Sequence, residues 1–93
     1  MKNTNNEKLL MYSGVVYDDQ TPDTFLINIK DTGIITEGET VEEAYTEASR
    51  QLDAYIECMD IMEETPPTPT SFEAVKKSKS KNIVLIVSSK RKK

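Results

Sequence analysis

From Val41 to Met59 the apolar side chains Val41, Ala44, Tyr45, Ala48, Leu52, Tyr55, Ile56 and Met59 recur at intervals of three and four, the spacing that lines one face of an α-helix. Glu42, Glu43, Thr46, Glu47, Arg50, Asp53, Glu57 and Asp60 fall on the other side. Thr40 and Glu43 have the spacing of a capping box, in which the threonine hydroxyl accepts from the Glu43 amide and the glutamate reaches back to the Thr40 amide. Acids at 42 and 43 suit the positive end of the helix dipole. The prolines of "TPPTPT", residues 65–70, stop the helix because proline lacks an amide donor and restricts the residue before it. The pattern therefore predicts a helix from 41 to about 62, roughly 33 Å long, against strands of about 17–20 Å. Its last turns should overhang the sheet and expose Cys58, Ile61 and Met62.

Elsewhere the apolar period is two. "KLLMYSGVVYDD" is rich in β-formers and leads into the loop "DDQTPD", which predicts a strand over 9–18. "TFLINIK" alternates Phe25, Ile27 and Ile29 with Thr24, Asn28 and Lys30, a half-buried second strand. "DTG" at 31–33 reads as a turn, "IIT" as a short third strand, and "EGE" as a turn in which Gly38 takes positive φ. Thr70 and Glu73 repeat the capping spacing and predict a short helix over 71–77. "IVLIV" at 83–87 is apolar on both faces, as in a strand covered on both sides. A strand entered through a helical crossover runs, by rule, parallel to a neighbour. The expected architecture is α+β: a four-stranded mixed sheet of order 3-2-1-4, one long helix on one face and a short helix before the last strand. The expected core comprises Val15, Phe25, Ile27, Ile29, Ala44, Ala48, Leu52, Ile56, Leu85 and Val87.

Composition narrows the function. A chain of 93 residues, 37% hydrophobic and without Trp, holds one domain with a modest core, so a homodimer formed through an uncovered sheet face or edge is expected. Residues 1–7 are polar and expected to be disordered, 8–89 form the domain and 90–93 a basic tail. One cysteine and no histidine leave no intrachain disulfide and no zinc set, so neither metal nor cofactor is expected. With no secretion signal and no long apolar run, the chain is expected in the cytoplasm and not in a membrane. The net charge of −4 conceals a division: residues 1–75 hold all 16 acidic groups and four basic ones, a charge of −12, whereas 76–93 hold eight basic groups and no acid, a charge of +8.

Tyr12 on the first strand, "INIKDTGIITEGETVEEAYTEASRQLDAYIE" at 27–57 and "ETPPTPTS" at 64–71 together resemble the HicB antitoxin family. The pieces that carry the likeness are Asp31, Gly33, Gly38, Thr40, Glu43, Ala44 and Ala48, a turn–cap–helix module within a resemblance spanning about residues 10–88. It implies a partial ribonuclease H-like ββαβ domain. Two departures stand out: "KDTG" lacks the family's proline-rich turn, and no ribbon-helix-helix or helix-turn-helix segment for operator DNA is visible before Lys93. The resemblance implies an antitoxin that neutralises a HicA-type toxin, a small basic messenger-RNA-cleaving protein. A body charge of −12 has a physical reason to attract such a partner and to compete with RNA.

On this reading Glu43, Glu47, Asp53, Glu57 and Asp60 steer the encounter, while Ile61 and Met62 supply apolar contact. Two other classes satisfy the same residues. One is a stand-alone, phage-encoded inhibitor whose acidic surface imitates nucleic acid and blocks a host defence nuclease. The other is a protein that contacts phosphates without reading sequence through Lys79, Lys81, Lys90, Arg91, Lys92 and Lys93; Phe72 is the lone aromatic nearby, which argues against base stacking. Catalysis is not expected. The middle of the first strand and the whole of "IVLIV" lack the carboxylates with which ribonuclease H-like nucleases hold Mg²⁺, and no small-molecule substrate is implied.

Overall fold

The computed structural model describes residues 8–18 and 24–91. The elements are β1 (Lys8–Asp18), β2 (Phe25–Ile29), β3 (Ile34–Gly38), α1 (Val41–Ile61), α2 (Phe72–Ser78) and β4 (Ile83–Arg91), with strand order β3-β2-β1-β4. The alternation along β1 sends Leu10, Tyr12, Gly14 and Val16 to the face that meets α1. Register places Val16 opposite Ile27 on β2 and Tyr12 opposite Val87 on β4. Against them α1 lays Ala44, Ala48, Leu52 and Ile56, all buried, so the three-four spacing is the seam between helix and sheet.

The expectation of a mixed sheet is corrected: β1–β2, β2–β3 and β1–β4 are all antiparallel. The parallel rule assumes that the connection crosses the sheet once. Here α1 makes one crossing and the segment after it makes a second. Residues 62–71 are pinned near the β2–β3 turn, where the Tyr12 hydroxyl donates to the Pro67 carbonyl at 2.6 Å and Asp31 accepts from the Thr70 amide and hydroxyl, each at 2.8 Å. From there α2 returns the chain to the other end of β1, where Asn82 Nδ2 donates to the Val16 carbonyl at 3.1 Å. β4 therefore starts opposite Val16 and runs back to Arg91, opposite Lys8.

The same clasp changes the second cap. Thr70 is held by Asp31, and Ser71 caps α2 by accepting from the Ala74 amide at 3.1 Å. The α2 segment packs on the sheet face away from α1, where Ser13, Val15 and Val84 are buried, but Ile83 and Ile86 stay exposed, so β4, an edge strand, is only partly covered and not sheltered on both sides as its apolar run suggests. Phe25 and Leu85, expected in the core, are only half-buried, while Tyr12, Val16 and Val84 are buried in addition. Positive φ occurs at Gly33 (79°) and not at Gly38. Gly38 is required for a different reason: a Cβ there would lie 2.6 Å from the Ala44 amide nitrogen and 2.8 Å from Glu43 Cβ.

Tyr12 makes the clasp sensitive to alkali. Burial pushes its phenol above the ordinary range, with smaller contributions from Tyr55 and Asp31. An unfolded tyrosine titrates near 10, so the folded state holds this proton more tightly. The resulting stability is intact below about pH 10 and is lost as pH rises through the folded value. Tyr12→Phe is expected to cost about 0.5–1.5 kcal/mol at neutral pH and to flatten the alkaline decline, read from urea midpoints at about pH 8 and about pH 11.

Candidate protein-binding surface

The exposed side of α1 divides into two halves. At its start Thr40 Oγ1 accepts from the Glu43 amide at 3.0 Å, as expected, but the Glu43 carboxylate accepts from the Glu39 amide at 3.0 Å, one residue before the amide the capping box predicts. One turn on, Glu47 is ion-paired with Arg50 and accepts from Gln51 at 3.2 Å. The Arg50 hydrogen bond, followed by that of Gln51, holds the Glu47 carboxyl below its usual range. Glu43 and Glu47 are thus occupied by the helix itself. Asp53 lies on the flank facing β4 and accepts from Ser89 Oγ at 2.7 Å, and both Asp53 and Asp60 have further partners within the chain.

The second half is the end of α1. Glu57, Asp60, Ile61 and Met62 lie within about two turns, followed by Glu63 and Glu64, and all six are exposed. Ile61 is 74% and Met62 59% accessible. The overhang anticipated for this end is therefore present, although β1 and β4 are longer than expected and Ser89 still reaches Asp53. Glu43 lies about 21 Å along the axis from Glu57, so the seven residues expected to bind a partner do not form one patch.

Two rules of helix chemistry are broken at this end. No basic residue occupies the last turn of α1, and acids crowd the negative end of the dipole. The chain also leaves the helix through a 6→1 bond, the Glu64 amide to the Met59 carbonyl at 2.8 Å, with Glu63 in the left-handed region at φ 59°. Glycine is the usual residue there, because a side chain crowds the backbone. Glu63→Gly is expected to raise stability by about 0.5–1 kcal/mol, measured by urea denaturation.

The cations expected to contact nucleic acid are dispersed. Lys79 caps the end of α2 and Lys81 lies in the following turn, whereas Lys90 and Arg91 belong to the far end of β4, about 25–30 Å away along the strand. Lys92 and Lys93 lie outside the described residues, as do residues 1–7. Among the described residues, no group of three or more Asp, Glu or Cys side chains is placed to hold a metal ion, and no helix is long and apolar enough to cross a membrane.

No family model matches the chain, and no curated protein matches it in sequence. The fold has a counterpart in a solved structure. It is similar to a chain of a toxin–antitoxin complex from Streptococcus pneumoniae, with a TM-score of 0.72 and 20% identity over 88% of this chain and 69% of that one. At that identity the likeness establishes the α+β fold. The present chain exposes an acidic and apolar surface at the end of α1. A surface of this kind attracts a cationic protein at long range and gives it an apolar seat at contact.

The sequence pattern had placed Glu57, Asp60, Ile61 and Met62 at this surface. It missed Glu63 and Glu64, because they follow the last periodic apolar residue and read as part of the connector. It also missed the Tyr12–Pro67 and Asp31–Thr70 contacts. The available signal was that Tyr12 shares its strand parity with Leu10 and Val16, so its ring had to enter the core and its hydroxyl had to find an acceptor.

Proposed function

We propose that this chain is a HicB-type antitoxin that neutralises a small, basic messenger-RNA-cleaving toxin of the HicA type by docking it on the end of α1. The observation that carries the reading is the conjunction at that end of exposed Glu57, Glu63 and Glu64, a last helical turn without a basic residue, and two exposed apolar side chains, Ile61 and Met62. Acids at the negative end of the dipole cost the isolated domain stability and the apolar pair stays in water, and a partner that presents lysine or arginine around an apolar centre relieves both. The fold's occurrence in a toxin–antitoxin complex supports the same role. A ribonuclease must offer positive potential to RNA, and an acidic inhibitor seated on that surface competes with the substrate directly.

Co-expression with any small basic protein encoded beside this chain tests the proposal. The expected result is that the neighbouring protein alone arrests growth and cleaves RNA, and that this chain restores growth and copurifies with it. Arrest that persists with both proteins present, or a neighbour without RNA-cleaving activity, overturns the reading.

A further inference from the structure

Beneath α2, on the sheet face opposite α1, lies a cavity of about 200 Å³. Its floor includes Ser13 on β1, only 6% exposed, whose hydroxyl has no hydrogen-bond partner among the described residues. The cavity opens to solvent, so water meets this hydroxyl until a ligand with a matching acceptor displaces it. Ala74 and Val75 form an apolar wall, and Lys30 and Lys79 stand at the margin. Neither lysine has a carboxylate within ion-pair distance among the described residues, in a chain with more acids than bases. Asp31 also lines the cavity; its oxygens accept from the Thr70 amide and hydroxyl, and its charge offsets one of the two lysines, leaving one net positive charge around the cavity.

We infer that this cavity is a binding site for a small carboxylate with a short aliphatic body. The Ser13 hydroxyl donates to one carboxylate oxygen, the two ammonium groups together balance its charge and that of Asp31, and the stem lies along Ala74 and Val75. The volume is somewhat larger than that of a buried cavity that accepts benzene, which sets the ligand at roughly six to eight non-hydrogen atoms. Such a group can be a free monocarboxylate or the acidic side chain of another protein. Inorganic phosphate lacks the body that the apolar wall requires.

Titration of the full chain with butyrate, with doubly capped glutamate and with inorganic phosphate, followed by amide chemical shifts, tests the site. Saturable shifts confined to residues around Ser13, Lys30, Val75 and Lys79 are expected for at least one carboxylate, with Kd on the order of 1 mM. Tighter binding of capped glutamate assigns the site to a protein side chain, and tighter binding of butyrate to a free acid. Ser13→Ala and Lys79→Gln, each checked for an unchanged thermal transition, are expected to weaken that binding about tenfold. Absence of saturation by either carboxylate, phosphate binding of equal strength at the same amides, or undiminished affinity in both variants overturns the inference.

Discussion

Replacing Leu52 with alanine is expected to destabilise the domain by about 2–5 kcal/mol, lowering Tm by some 10–30 °C. Leu52 is fully buried midway along α1, within the cluster that includes Ile27, Ile29, Ala48, Ile56 and Val87. The void it would leave lies between a helix capped at its start and a sheet hydrogen-bonded across four strands, so neither wall can close on it. A domain of this size has a total stability of about 5–15 kcal/mol, so the loss is a large share of the whole. Ala54→Ser, at an exposed position of the same helix, is the control and is expected to change stability by less than about 0.5 kcal/mol. Thermal or urea unfolding separates the two. A loss below about 1 kcal/mol at Leu52 would mean that α1 is not seated on the sheet along this line.

The second large effect is on binding, and its direction is opposite to its effect on stability. Glu57→Lys together with Glu64→Lys places two cations at the negative end of the helix dipole, where they are expected to add about 0.3–1 kcal/mol each to stability. The same change is expected to weaken the complex with a basic toxin about ten- to hundredfold, mainly through slower association. Ile61→Ser with Met62→Ser removes the exposed apolar pair and is expected to weaken the complex to a similar degree through faster dissociation, with little change in folding. Calorimetric unfolding beside surface-immobilised binding kinetics measures both quantities. A variant that is more stable yet binds less well cannot be explained by misfolding.

Much of this architecture was legible because local and global preferences agree. Thr40, the acids of the first turn and the three-four recurrence fixed the start and the buried face of α1, and the strand order followed from three strands joined by short turns and a helical connection that brings the last strand beside the first. The direction of β4 was not legible. It depends on Pro67 and Thr70 being held at Tyr12 and Asp31, contacts between positions 55 and 39 residues apart that no local spacing encodes. The burial of Phe25 and Leu85 was overestimated for a related reason, since an apolar run does not tell which of its members lies near the rim of the sheet. At the candidate surface, Ile61 and Met62 could be read from helix length alone. That Glu43 and Glu47 are consumed by capping and by Arg50 required knowing where each carboxylate points.

The claim that bears most weight is that the acidic, apolar end of α1 receives the toxin. Its most direct test is the Kd of the chain with a small basic ribonuclease of the HicA type, measured at about 50 and about 200 mM salt for the unaltered protein and for Glu57→Lys/Glu64→Lys. The account predicts tight binding that weakens steeply with salt for the unaltered chain, and weaker binding with a shallower salt dependence for the variant. Equal affinity and equal salt dependence for the two proteins would contradict it.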